Sequence, residues 1–414
     1  MKRSLILFSS AFLFSLVLTG CQNPAAGTSS MTSASAAAPV DLVVWHDNDD
    51  TLMKAIETKV NTALSADKIT LHCVKKAGVQ DQVKLYGNDA TNGPDMFFEA
   101  HDAIGVFAQM GIVAPLSDIL PDSYFNAFLK TTIDAGTYKN VRYMVPLYFE
   151  SLLFMYNKDL WKGAVPSTTD DLLAYAEANT DANAGMYGVL NQHTGAYNVA
   201  PLINGYGGYI INNDAKPGLN LQATKDAVSY NKRFSAYQSD GEYNTVTTLF
   251  TEKKAHSIIS GPWLVSSIKA AGINLGTKPL SSFKLPNGRP LCPYIGVQSF
   301  GVCKHALAKK AAIAKVFNVI ASKEVGVGMA KDFGCTPAVL AAYEDSSVTS
   351  NEMIANTKET IATSAIPMPN IPEMSVMWGP VSNLLTNVNL KGADVNTEAE
   401  VQQKAAEQAI ADMH

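Results

Sequence analysis

Short apolar runs alternate with amphipathic stretches along most of this chain. Val40 to Trp45 (VDLVVW) is β-branched and apolar, which predicts a buried strand. Leu52, Ile56, Val60 and Ala63 then recur at helical spacing and predict a helix from Thr51 to Ala63. Ile69 to Val74 (ITLHCV) alternates as a second strand, Gln80 to Leu85 predicts the next helix, and Asp95 to Phe98 a third strand. The pattern returns with strands over Met186 to Asn191 and Ala255 to Ser260, and helices over Asp170 to Ala178 and Lys225 to Tyr237. Ala306 to Ser322 predicts one long alanine-rich helix, and Glu398 to Met413 a closing one. Strands alternating with helices predict an α/β fold around a parallel sheet covered on both faces. Gly-Pro pairs at Gly93-Pro94, Gly261-Pro262 and Gly379-Pro380 mark turns; Trp263 follows one of them and Trp378 precedes another.

The first residues do not fit this scheme. Lys2 and Arg3 precede an apolar run from Leu5 to Leu18, too short to span a bilayer and suited to a signal peptide over residues 1–20. The run ends in Leu18-Thr19-Gly20-Cys21, which resembles the lipobox of bacterial lipoproteins, with Cys21 as the acylated first mature residue. From Gln22 to Pro39 the chain is almost wholly Ala, Ser, Thr, Gly, Asn and Pro, without charge or periodicity. Such a stretch cannot bury enough surface to offset its ordering entropy, so residues 21–39 are expected to be a lipidated flexible tether. The folded part is then expected on the outer face of the cell membrane, held by its lipid alone, as in Gram-positive-type lipoproteins.

Composition changes the picture only by exclusion. The 414 residues carry a net charge of −5 and no basic cluster, which argues against nucleic acid. Cys73, Cys292, Cys303 and Cys335 show no C-x-x-C spacing, so they are expected to be free thiols and not a zinc site. No H-E-x-x-H, G-x-S-x-G or phosphate-binding loop occurs, and the acidic run His46 to Asp50 lacks the closing Glu of a calcium loop. No metal and no cofactor is expected. What remains is a set of aromatics and carboxylates: Trp45, Trp263, Trp378 and Tyr197, with Asp47, Asp49, Glu99, Asp102 and Glu150 near predicted strand ends, where ligands bind in open α/β sheets. A pyranose offers an apolar face to an aromatic ring and a rim of hydroxyls to carboxylates.

Four segments carry a family resemblance: GPDMFFEAHDAIGVFAQMGIVAPL (93–116), VPLYFESLLFMYNKDL (145–160), ISGPW (259–263) and MPNIPEMSVMW (368–378). Together they resemble the maltose/maltodextrin-binding proteins of ABC transporters, the sugar-binding branch of the extracellular solute-binding proteins, from Val40 to the C-terminus. The resemblance implies a two-lobed periplasmic-binding-protein-like fold with a hinge and an interlobe ligand cleft. It implies one lobe from residues 40–147 and 299–345, and another from 148–298 and 346–414. It further implies a monomer that binds malto-oligosaccharide, delivers it to the permease of an ABC importer and catalyses nothing. Asp49, Asp102 and Glu150 match carboxylates that bond sugar hydroxyls, and Tyr197, Trp263 and Trp378 match aromatics that stack on glucose rings. Glu99 joins the expected site, with Asp47, Asp50 and His193 as secondary candidates, whereas Trp45 matches a structural residue. The pattern is broken where Glu99 replaces a Trp, Asp50 a Lys, Ala103 and Ser382 an Arg, and Gly379 a Tyr. Those departures leave open another glucan or a cyclodextrin. A glycoside hydrolase built on Glu99 and Glu150 is the catalytic alternative.

Overall fold

The computed structural model describes residues 38–413. The expected signal peptide, Cys21 and all but the last two tether residues lie outside the described residues. Apart from a small hairpin (Thr137–Tyr138 with Val141–Arg142), the strands are β1 (Val40–His46), β2 (Ile69–Lys75), β3 (Met96–Ala100), β4 (Met144–Glu150), β5 (Leu153–Asn157), β6 (Ser257–Ser260), β7 (Leu275–Pro279), β8 (Tyr294–Val302), β9 (Thr336–Pro337) and β10 (Ile366–Pro367). The helices that bear on the site are α1 (Asp50–Ala63), α2 (Ala196–Tyr206), α3 (Val265–Ala270) and α4 (Trp378–Asn389).

The larger sheet runs β9-β4-β8-β3-β1-β2. Its β1 is parallel to β2, with Val40 opposite Ile69, and parallel to β3, with Trp45 opposite Phe97. Both faces of β1 are covered, which explains its unbroken apolar run. Leu42 and Val44 pack on Leu52, Ile56 and Val60 of α1, while Trp45 packs with Phe97 and Phe107 on the opposite face. Full burial of each such aliphatic side chain contributes about 1.5–3 kcal/mol. The outer strand β2 leaves backbone groups that α1 caps: Leu71 N donates to Asn61 Oδ1 (2.7 Å), Asn61 Nδ2 to Leu71 O (3.0 Å), and Cys73 N to Glu57 Oε2 (2.9 Å). An edge so capped resists pairing with another chain.

The expected parallel sheet holds for β1, β2 and β3, but β8 runs antiparallel to both β3 and β4. The cause is topological, because β4 and β8 pass between two separate cores. Val145 and Leu147 belong to the first core, but Leu152 and Phe154, just beyond β4, belong to the second. Likewise Tyr294 lies in the second core, and Phe300 and Val302 in the first. The second core is built on an antiparallel sheet, β6-β5-β7, flanked by α2 and α4.

Two further expectations change. Met186 to Asn191 forms no strand; it meets residues 255–258 only through single bridges, Tyr187 to Ala255 and Leu190 to Ile258. Side chains have taken the ladder's partners, since Gly188 N donates to Thr180 Oγ1 (3.1 Å) and Gly188 O accepts from Ser257 Oγ (3.0 Å). The long helix expected from Ala306 to Ser322 divides into a 3-10 turn (Lys304–Lys309) and a helix (Lys310–Ile320). A second helix (Lys323–Phe333) then begins at Ser322, whose hydroxyl accepts from Val325 N at 3.3 Å as an N-cap. Cys73, Cys292, Cys303 and Cys335 are all free. Among the described residues, no helix is long and apolar enough to cross a membrane, and no group of His, Cys, Asp or Glu is arranged to hold a metal.

Candidate functional site

A cavity of about 670 Å³ opens where the two crossing strands meet the ends of β1 and β3. Its floor is Glu150, the last residue of β4, opposite Gly296 of β8. A Cβ at Gly296 would lie 3.4 Å from Glu150 Cγ and 3.7 Å from the Tyr197 hydroxyl, which places the α2 phenol beside the carboxylate. Gln298 Nε2 donates to Glu150 Oε1 at 2.9 Å. Glu150 Oε2 is buried and has no partner, although the residue is only 4% exposed. Burial pushes this carboxyl up to about 7, against the pull of Gln298.

The first wall is the loop leaving β1. Asn48 ties it down, donating from Nδ2 to the Tyr148 hydroxyl (3.1 Å) and accepting Asp49 N on Oδ1 (2.8 Å). Asp49 is the N-cap of α1, its Oδ1 accepting from Thr51 N (2.6 Å) and Leu52 N (3.1 Å). Asp47 Oδ2 accepts from Val79 N at 3.4 Å, and Asp50 forms an exposed ion pair with Lys75 at 3.4 Å. Glu99, at the end of β3, lies opposite Ser299. Burial raises its carboxyl well above the usual range, and the charges of Asp47 and Asp102 add to the rise. Asp102 sits on the 3-10 turn after β3, is 6% exposed, and accepts from Trp378 Nε1 at 3.3 Å. Burial pushes it up to about 6, with the Trp378 bond opposing.

The second wall carries Trp263, while Tyr197 and Trp378 lie outside the cavity's lining. Trp263 follows the Gly261-Pro262 turn before α3, and a Cβ at Gly261 would collide with its ring. Tyr197 and Trp263 have ring centroids 6.3 Å apart at 58°, so the pair presents an angled surface instead of a closed stack. Trp378 opens α4 and arrives from a segment pinned to the first core. His101 Nδ1 accepts from Val297 N (3.1 Å) and its Nε2 donates to Met368 O (3.0 Å), while Asn370 Nδ2 donates to the carbonyls of Ala135 and Thr137 (2.9 Å each). Burial lowers the His101 pKa to about 4, so the ring is neutral and the Nε2–H tautomer fits both contacts.

The structure therefore gathers Asp47, Asp49, Asp50, Glu99, Glu150 and Trp263 around the cavity, with Tyr197 beside Glu150 and Trp378 on Asp102. His193 is elsewhere. It is buried against Gly241, and its carbonyl accepts from Asn231 Nδ2 (2.9 Å) and Asn389 Nδ2 (2.8 Å), which makes it packing for the second core. Trp45 is packed edge-on to Tyr86, away from the cavity. Sequence reasoning missed Asn48, Tyr243, Ser266, Ser267 and Gln298 as lining residues, and His101 as the pin. Single polar residues on strand ends carry no signal of their own; only the A-H-D segment drew attention to His101.

Groups harder to ionise folded than unfolded stabilise the protein below the ordinary carboxylate range, and that stability is lost as pH rises through their folded pKa. For Asp102 and Glu150 the loss runs from about pH 4 up to about 7. His101 acts in the opposite sense, adding stability as pH rises from about 4 to its ordinary 6.5, and so offsets part of this loss. The ligand-free protein is expected to melt a few degrees lower at pH 8 than at pH 5, and Glu150→Gln is expected to flatten that fall. Parallel pH profiles for variant and wild type would contradict the assignment to Glu150.

Comparison with known proteins follows the same lines. The family described as bacterial extracellular solute-binding protein matches residues 51–356. A galactooligosaccharide-binding protein of Bacillus subtilis is 27% identical, covering 95% of this chain and 93% of its own. A maltooligosaccharide ABC transporter solute-binding lipoprotein of Streptococcus pneumoniae is 27% identical, covering 96% and 95%. Among solved structures, a cyclo/maltodextrin-binding protein complexed with maltotetraose superposes with a TM-score of 0.74 at 26% identity, covering 90% of this chain and 98% of that one.

Proposed function

We propose a function from one premise: the chain belongs to the bacterial extracellular solute-binding protein family. It captures malto-oligosaccharides outside the cell and delivers them to an ABC importer. The observation that carries this reading is the cavity floor, where Glu150, with Oε2 unpartnered, lines the same cavity as Trp263 and has the Tyr197 phenol close by. A sugar hydroxyl satisfies the free carboxylate oxygen while the ring's apolar face covers the indole. The maltotetraose-bound neighbour and the maltooligosaccharide relative support glucose units as the cargo. Capture without cleavage is supported by the family, whose members bind solutes.

The lobes are taken as residues 40–147 with 299–345, and 148–298 with 346–414. Sugar touching both favours a closed form, because only closure completes both sets of contacts. A different oligosaccharide is the second reading, supported by the galactooligosaccharide-binding relative at the same 27% identity. A thermal-shift panel separates the two. Maltotriose and maltotetraose at about a hundred times Kd are expected to stabilise the protein by about 2.7 kcal/mol, and galacto-oligosaccharides to leave it unmoved. A shift with galactosides alone would replace the glucan reading.

Cys21 is proposed as the lipid anchor, and the streptococcal lipoprotein supports it. Fractionation of cells expressing Cys21→Ala is expected to find nearly all of the protein in the medium instead of the membrane. Retention of the variant on the membrane would exclude lipidation at Cys21. The tether then serves to keep the binding lobes near their permease and raise effective concentration there.

A further inference from the structure

Charge in the cleft is unbalanced. Asp47, Asp49, Asp50, Glu99 and Glu150 line the cavity, and among the described residues Lys75 is the one cation lining it. That lysine is paired with Asp50 at the exposed mouth, where the two side chains are 49% and 68% exposed. Asp47 and Asp49 each commit an oxygen to backbone N–H groups. Among the described residues, neither Glu99 nor Glu150 forms an ion pair. Glu150 is more than nine-tenths buried with Oε2 unpartnered, and Glu99 faces the charges of Asp47 and Asp102.

Carboxylates of like charge withdrawn from water are costly unless something neutralises them, and in the ligand-free protein that is the proton which Glu99 and Glu150 hold more readily than an ordinary carboxyl. A neutral sugar closing over them supplies hydroxyl donors but no charge. A protonated amine supplies both, in a charge-assisted hydrogen bond, and an anion adds repulsion. We propose that this cleft is charge-selective, taking oligosaccharides that carry a protonated amine ahead of neutral ones and rejecting anionic ones, with Glu99 setting the preference. The inference rests on the reading of the cavity as a saccharide site and specifies the class of saccharide.

Three maltotetraoses that differ only at a terminal 6-position, as hydroxyl, amine or carboxylate, test it on one scaffold, with each end substituted in turn. Full-length protein in detergent is titrated with each at pH 7.5, at low and high salt. The amine is expected to bind about tenfold more tightly than the hydroxyl form at one end, and the carboxylate about tenfold more weakly, with high salt narrowing both gaps. Glu99→Gln is expected to bring the amine and hydroxyl forms within about threefold of each other, and Asp47→Asn to shift them the same way by less. An amine that binds no more tightly than the hydroxyl at either end overturns the proposal. So does a gap that survives Glu99→Gln. Failure of all three sugars to bind overturns the saccharide reading itself, and this inference with it.

Discussion

Replacing Trp378 with alanine is expected to weaken maltotetraose binding by about a hundredfold to a thousandfold, or roughly 3–4 kcal/mol. Two losses combine. The indole presents an apolar face at the start of α4, and its Nε1–H holds Asp102 Oδ2 at 3.3 Å. Without the ring, the sugar loses its platform and a buried carboxylate loses a donor. Trp378→Phe separates these effects, since it keeps a stacking face and removes only the N–H; about a tenfold loss is expected from it. Calorimetric titration of the three proteins checks the order. Equal affinity for Trp378→Ala and wild type would remove Trp378 from the site.

His101→Ala is expected to have the second largest effect, and on stability before binding. The ring is buried, bridging Val297 N of β8 and Met368 O of the segment that leads to Trp378. Alanine leaves both backbone groups unpaired and a void between them. Together these cost about 3–5 kcal/mol, which lowers Tm by roughly 5 °C for a folded part of this size. Glutamine reaches only one of the two partners and is expected to recover part of the loss. Thermal denaturation of the three proteins decides it. A Tm for His101→Ala within a degree or two of wild type would mean that the 368–372 segment is held without His101, by Asn370 and the Met368 N to Ile295 O bond.

His101 also shows why only part of the site was legible in the sequence. Strand β1 announced itself because both its faces are buried, so that apolar residues run unbroken from Leu42 to Trp45. Helix α1 was equally plain, one face being committed to the sheet at Leu52, Ile56 and Val60. The direction of β8 was not, because strand polarity depends on which core the chain has just left, and no local pattern records that. Met186 to Asn191 misled for a related reason: side chains of Thr180 and Ser257 supply partners that a neighbouring strand would otherwise have supplied. Within the site, carboxylates and tryptophans stood out by type and by their places beside turns. His193 stood out by type as well, yet tertiary packing put it against Gly241 in the second core. Asn48 and Gln298 were silent, since their importance lies wholly in what they touch, Tyr148 and Glu150, 100 and 148 residues away.

The proposed function depends on one event, the capture of a malto-oligosaccharide in the cavity floored by Glu150. Calorimetric titration of the wild-type protein with maltotetraose measures that event directly. Saturable heat is predicted at one sugar per chain, with a Kd of about 10 μM or tighter. An absence of heat and of any other binding signal at millimolar maltotetraose would contradict it.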